Sequence, residues 1–323
     1  MLVLCLGGHG SSPVASANRV CHTSRKDQFA SVERRTNTTD MAYVNSEFWE
    51  SLHSDQKGCF RAVGYPEMGE GFNKATYQMR LDALERLLKR QRLWPLRDIL
   101  EGAVGIGAYG PLWQKAQVER WTGLDISSSA IEHVSKIYPS QQFRVVDLSN
   151  QAGMNAALDD RRFSLASAID VLYHIVEDDS FENALRNLAS RVNQQGYLVV
   201  SDIFPSQDTL SKRHVKRRSM QTYERVLHPL GFELVSREPV FSILGEGLPR
   251  GPHHLSDVAM SVIWRVTSKV VRLTPLGLRD AMGFVVVKGL KPFDALLQSS
   301  GISSGTNLEL ALFRRTGTAL AQN

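Results

Sequence analysis

Hydrophobic spacing along the chain changes from helical to strand-like near residue 97, and the two regimes then alternate. Before that point, Tyr77, Leu81, Leu84 and Leu88 recur at helical spacing and predict an amphipathic helix ended by Pro95. A shorter helix is predicted over 44–52, carrying Phe48 and Trp49, and Gly64, Gly69 and Gly71 mark the loop between the two. Beyond it, short apolar runs at 98–101, 121–124, 143–146, 165–171 and 196–200 predict five strands separated by helical patterns. Pro111 suits a first helical position, and Ser129 to Glu132 spells a capping box for the next helix. Asp179 to Glu182 repeats that logic before a helix ending near Val192. A helix over 219–230, a strand over 232–235, further helices to about 297 and a last strand over 308–313 complete the pattern. Strands and helices alternating at this length imply an α/β fold, a doubly wound, mostly parallel sheet covered on both faces.

The densest chemistry lies where the first strand meets its helix, in Ile99-Leu100-Glu101-Gly102-Ala103-Val104-Gly105-Ile106-Gly107-Ala108-Tyr109-Gly110. Glycines there allow a tight turn and let a ligand lie against bare backbone. Gly105 to Gly110 also spells G-x-G-x-x-G, with Asp125 at a distance that suits a dinucleotide ribose, so a nicotinamide oxidoreductase stands as one reading. Four acids favour another. Glu101, Asp125, Asp147 and Asp170 each fall at the end of a successive predicted strand. Ligands of open α/β sheets bind outside the carboxyl ends of the strands, so the four converge on one crevice. Carboxylates there suit a cationic ligand rich in hydroxyl and amino donors and repel a pyrophosphate.

The stretch from Ile99 to Pro205 resembles the class I S-adenosylmethionine-dependent methyltransferases of the small-molecule type, and the likeness extends upstream to Phe48 and downstream to the last strand. The family follows its first-strand acid with G-x-G-x-G. Here Ala103 stands at the first glycine, which adds a methyl beside the cofactor's methionine end, with Gly102 alongside to relieve it. The resemblance implies a Rossmann-like, seven-stranded sheet whose last strand is antiparallel, and S-adenosylmethionine as cofactor with S-adenosylhomocysteine as product. It implies that Asp125 holds the ribose hydroxyls with Ile126 against the adenine. Asp147 accepts from the adenine amine near the Leu148 backbone. Glu101, Gly102, Gly105 and Gly107 line the methionine side, where Asp170 presents its backbone. The implied domain spans 44–323: cap helices over 44–94, a core over 97–243, a helical insertion at about 245–305 that shapes the acceptor pocket, and a last strand over 307–315.

On the acceptor side, Tyr173 and His174 follow the fourth strand as candidate catalytic groups, with His174 able to take a proton near neutral pH. Tyr109 is expected to pack against the cofactor, and Arg80, on the long helix, to approach its carboxylate. The acceptor is read as a small, hydrophobic organic molecule methylated on oxygen, nitrogen or carbon. The basic run Lys212 to Arg218 admits an acidic substrate or RNA phosphates, and hence an RNA methyltransferase, although no aromatic residues are interleaved for base stacking. A non-catalytic binding protein of the same fold is the remaining alternative. Val258, Val262, Val266 and Val270 share a helix face, with Arg265, Lys269 and Arg272 displaced from it; this pattern packs as an insertion or meets a membrane surface.

Composition adds limits. The 323 residues carry a net charge of +5, with a pI near 9.1, which accords with anionic partners without requiring them. Cys5, Cys21 and Cys59 lack metal-ligand spacing and are too few for a disulfide framework, so no metal and a reducing, cytoplasmic setting are expected. No run approaches the roughly 20 apolar residues of a membrane span. Residues 1–43 show no periodicity and read as a disordered tail, and residues 1–40 are expected to be dispensable.

Overall fold

The computed structural model describes residues 44–56, 58–245, 247, 255–300 and 307–317. The tail, with Cys5 and Cys21, and the pair His253-His254 lie outside them. Five strands, β1 (Asp98–Gly102), β2 (Arg120–Asp125), β3 (Gln142–Val145), β4 (Phe163–Ala168) and β5 (Val192–Asp202), pair in parallel in the order β3-β2-β1-β4-β5. Two more extend the sheet after a small separate hairpin, β6 (Thr209–Lys212) with β7 (Val215–Arg217). The strand β9 (Glu309–Arg315) lies antiparallel between β5 and β8 (Phe232–Pro239), giving seven strands in the order β3-β2-β1-β4-β5-β9-β8. This is the Rossmann-like sheet with one antiparallel strand that the family resemblance implied. Chain order reverses between β1 and β4, which opens a crevice at their carboxyl ends.

Side-chain alternation fills both faces of the sheet. Ile99 and Leu165 face one core with Leu84, Leu88 and Trp113; their neighbours Leu100 and Ala166 face another with Phe181, Leu185 and Tyr223. The helices are α1 (Asn45–Asp55), α2 (Gly69–Arg90), α3 (Gly110–Lys115), α4 (Ser128–Ile137), α5 (Gln151–Leu158), α6 (Asp178–Ser190), α7 (Met220–Leu227), α8 (Leu255–Leu273) and α9 (Leu276–Ser299).

Several boundaries move for identifiable reasons. β4 stops at Ala168 because Asp170 adopts a left-handed backbone, φ 59°, and a 3-10 turn follows at Leu172–His174. β8 runs to Pro239 because its whole length is paired by β9. The cap of α4 is Ser127, whose Oγ accepts from the Ala130 N–H at 3.1 Å, while Ser129 turns its hydroxyl to Glu50. α6 starts at Asp178 after Glu177, which makes no side-chain cap bond. The basic run Lys212 to Arg218 lies in the β6–β7 hairpin and just beyond it. Cys59, expected to be unpaired, is disulfide-bonded.

The valine face of α8 also departs from an ordinary packed insertion, since all four valines are exposed. The helix buries Met260, Trp264 and Val271 instead. Trp264 seats between Tyr65 and Phe72, ring centroids 5.4 and 6.1 Å away, and its larger ring area decides which face turns inward.

Helices α2 and α9 cross with backbones almost in contact. A Cβ on Gly71 would lie 2.0 Å from the Asp280 carbonyl oxygen, and one on Gly283 2.7 Å from Phe72 Cβ. Helix propensity alone favours alanine over glycine by about 1 kcal/mol. The crossing reverses that sign: Gly71→Ala is expected to lower stability by about 1–3 kcal/mol through overpacking, measured as a lower denaturant midpoint at unchanged slope.

Candidate active site

The carboxyl ends of β1, β2, β3 and β4 open on a cavity of about 1030 Å³. Arg80, Ala103, Gly105, Tyr109, Asp125, Ile126, Asp147, Leu148, Asp170, Tyr173 and His174 all line it, so most residues singled out in the sequence meet at one place. Glu101, Gly102 and Gly107 do not. Glu101 turns behind the loop, where it accepts from Trp113 Nε1 at 2.6 Å, and burial pushes its carboxyl up to about 8 against that hydrogen bond. Gly102 faces the ends of Leu148 and Leu188, which would have to give slightly for a Cβ, and Gly107 faces Val134 and Tyr138 more closely still.

The loop geometry rests on Asp125. Its buried carboxylate accepts the Gly105 N–H at 2.8 Å and the Ser127 N–H at 2.9 Å, tying the turn after β1 to the end of β2. Burial raises its pKa, opposed by His53 and by those amides. Three backbones in the loop are left-handed: Ala103 at φ 58°, Gly105 at 52° and Gly107 at 73°. Two are glycines and pay little; the alanine at the family's first glycine position is strained.

Asp170 is fully engaged. Arg80 Nε donates to it at 2.5 Å, the Tyr173 hydroxyl at 3.2 Å and the Ser201 hydroxyl at 3.3 Å. Arg80 is held further by the rings of Tyr77 and Phe241, 4.7 and 4.8 Å from its guanidinium carbon. Tyr109 is buried beside it, and its hydroxyl has no hydrogen-bond partner among the described residues. Asp147 is exposed at the cavity edge and accepts from the Ser149 N–H and hydroxyl.

The proposed catalytic pair fares differently from expectation. The Tyr173 phenol is spent on Asp170, its ring lies 3.7 Å below the Arg217 guanidinium carbon, and burial drives its pKa well above the ordinary tyrosine value. His174 has Nδ1 3.0 Å from the His214 carbonyl oxygen, so Nδ1–H donates and Nε2 keeps its lone pair in the neutral ring. Burial pushes its pKa down to about 3.

The cap helix and the basic run were marked in the sequence, but how they close the cavity was not. Helix α1 covers the mouth with Phe48, Trp49 and His53, although its hydrophobic pattern gave only a short helix. Burial lowers the pKa of His53, against the attraction of Asp125 and Glu50. Glu50 fastens α1 to the start of α4, accepting from the Ser127 hydroxyl at 2.8 Å and the Ser129 N–H at 3.2 Å. Its partial burial works against ionisation, yet those hydrogen bonds outweigh it and hold the carboxyl down to about 2. The hairpin forms another wall through Thr209, Ser211, Lys212, Arg213, His214 and Arg217. The rest of the basic run is structural: Arg218 is fully buried over the Phe181 ring, and Lys216 pairs with Asp178.

Two outcomes follow. Replacing Ala103 with glycine relieves a left-handed alanine and is expected to raise stability by about 0.5–1 kcal/mol, read by denaturant unfolding. Because the Glu50 carboxyl is depressed in the folded state, its contribution is complete above its ordinary value of 4.5 and is lost as pH falls through about 2. Acid titration of Trp49 emission should report α1 release in that window, and Glu50→Gln should remove the transition.

No curated protein matches the chain in sequence. The family described as methyltransferase domain matches residues 74–237, half of the chain. Among solved structures, a putative sarcosine dimethylglycine methyltransferase from Galdieria sulphuraria superposes with a TM-score of 0.50 at 11% identity, covering 84% of this chain and 98% of that one. The N-methyltransferase NodS from Bradyrhizobium japonicum, in complex with S-adenosyl-L-homocysteine, gives 0.43 at 13% identity, covering 73% and 86%. Magnesium protoporphyrin IX methyltransferase from Synechocystis, with bound S-adenosylmethionine, gives 0.41 at 15% identity, covering 67% and 91%. On the family match and the sheet that carries it, the chain belongs to the methyltransferase-domain family and is an S-adenosylmethionine-dependent enzyme of class I.

Proposed function

We propose that the protein transfers a methyl group from S-adenosylmethionine to an oxygen, nitrogen or carbon atom of a small organic acceptor held beneath α1 and the β6–β7 hairpin. The observation that carries this reading is the division of one cavity into two chemistries. One half holds the strand-end carboxylates and the left-handed loop. The other is walled by Phe48, Trp49, Tyr65 and Tyr173, with Lys212 and Arg213 from the hairpin.

The residues of the first half fit the cofactor. The buried Tyr109 hydroxyl, beside Arg80, has no partner among the described residues and suits the methionine carboxylate. Asp125 suits the ribose hydroxyls, Ile126 and Leu148 the faces of the adenine, and Asp147 its amine. When bound, the cofactor supplies an electrophilic methyl on a cationic sulfonium. Around it the chain positions and desolvates. Trp49 stands edge-on to His174, ring centroids 4.9 Å apart, and closes the acceptor half against water. With Nδ1 on the hairpin backbone, the His174 ring is held in the wall of the acceptor half and helps to position the acceptor. Holding the two reactants at attack geometry supplies much of the acceleration of such an in-line displacement. The aromatic wall favours a planar or hydrophobic body, and the two cations an acidic substituent on it.

RNA receives no support from the hairpin. Its run of cations is divided between a buried arginine, an ion pair with Asp178 and the cavity wall, so no continuous phosphate track is presented.

The test has two stages. Calorimetry should show S-adenosylhomocysteine binding with no comparable affinity for NAD, and Asp125→Ala should weaken that binding by about 1–3 kcal/mol through lost charged hydrogen bonds. Incubating extracts with enzyme and methyl-labelled cofactor should then yield a small molecule that gains one methyl. Tight NAD binding without S-adenosylhomocysteine binding, or unchanged affinity in a folded Asp125→Ala, would refute the site as drawn.

A further inference from the structure

Seventeen large hydrophobic side chains are exposed among the described residues, and thirteen of them lie on α8 and α9. They are not scattered. On α8, Val258, Val262, Val266, Val270 and Leu273 follow three- and four-residue spacing, and on α9 so do Leu278, Met282 and Val285, resumed by Phe293 and Leu296. The opposite sides are already packed: α8 through Trp264 and Val271, α9 through Gly283, Val287 and Asp294. The outward stripes are therefore a second apolar face, left over after the fold has used the first. Single exposed hydrophobic residues are ordinary, but stripes of them along two adjacent helices mark an interaction surface.

Charge decides which partner. Arg265 and Lys269 flank the valine stripe of α8, and Lys288 stands 5.4 Å from the Phe284 ring on the outward side of α9. The described carboxylates of these helices are directed elsewhere. Asp294 is buried and accepts from the Ser242 and Ile243 N–H groups, and Asp280 accepts from the Glu70 N–H on the side packed against α2. A second copy laid on this face would set cations against cations with no described carboxylate to answer them. An anionic lipid surface supplies both complements, acyl chains for the stripes and headgroups for the cations. Neither helix is long and apolar enough to cross a membrane, so the geometry is that of helices lying in the interface.

We propose that the outward face of α8 and α9 docks the protein on an anionic membrane surface. The docked face adjoins the active-site cavity: Arg272, near the end of α8, donates to Glu67 at 2.7 Å, and Glu67 lines the cavity. Attachment here leaves the sheet and the cofactor half of the cavity untouched.

The full chain should co-sediment with vesicles of phosphatidylcholine containing about a third phosphatidylserine, and at least tenfold more weakly with phosphatidylcholine alone. Raising the salt to about 0.5 M should weaken the binding, because the cations act through a screened field. The double variant Val266→Glu, Phe293→Glu should lose vesicle binding, and Lys269→Glu, Lys288→Glu should lose the preference for phosphatidylserine. All these side chains are exposed, so unchanged affinity of both variants for S-adenosylhomocysteine shows that the fold and the cofactor site survive. Absence of binding to phosphatidylserine vesicles, or equal binding to both compositions, overturns the proposal. So does a wild-type dimer that binds no vesicles and becomes monomeric on Val266→Glu, Phe293→Glu, since that would assign the face to a second copy of the chain.

Discussion

A carboxylate taken out of water must be compensated, and Asp125 is compensated by backbone. It accepts the Gly105 and Ser127 amides, so the loop after β1 and the turn after β2 share one acceptor. The strands beneath are fixed by their parallel ladder, Asp98 with Arg120 through Gly102 with Leu124. With the strands in place, the carboxylate determines where the loop lies, and the loop determines the floor of the cavity. Left-handed backbone at Ala103, Gly105 and Gly107 is the consequence. A chain free to choose would not place alanine there; a chain held by Asp125 tolerates it at a cost of about 1 kcal/mol.

The acids that converge on this edge serve different ends, and burial separates them. Glu101 faces the core and is held by an indole N–H, with a carboxyl shifted up to about 8. Asp170 is neutralised by Arg80 and saturated by two hydroxyls. Asp147 remains in water at the rim. Under the proposed function Asp125 and Asp147 are the two that meet a donor-rich ligand, while Asp170 is engaged by Arg80, Tyr173 and Ser201. Four carboxylates at successive strand ends thus stand in one core, one ion-pair and two cavity-lining environments, a distinction that strand position alone does not carry.

That difference marks what was legible in the chain. The alternation of strands and helices, the crevice and the residues at its edge follow from local signals, the hydrophobic spacing and the placement of glycines and acids, while the seven strands with one antiparallel came with the family resemblance. Which way Glu101 turns is not local: it depends on Trp113 arriving twelve residues later with an N–H to donate. The same holds for His53 and Glu50, whose roles come from α1 closing over α4, and for α8, where the face that turns inward is settled by Trp264 between Tyr65 and Phe72 rather than by its valines. The charge run at Lys212 to Arg218 read as cations open to an acidic substrate or RNA, because neither its hairpin pairing nor the burial of Arg218 leaves a periodic trace.

The N-terminal helices and the α8–α9 pair together explain why the cavity is deep. α2 supplies Tyr77 and Arg80 to its wall, the Tyr77 hydroxyl donates to the Val63 carbonyl at 2.8 Å, and this anchors the loop above Gly105. α2 in turn is braced from outside by α9 at the Gly71 and Gly283 crossing, where backbone meets backbone and no rotamer change can absorb a shift. α9 therefore bears on α2 through backbone, and α2 carries Arg80 and its ion pair with Asp170. The outward apolar face of α9 thus lies one helix away from the cavity wall, and the glycine crossing fixes the spacing between them.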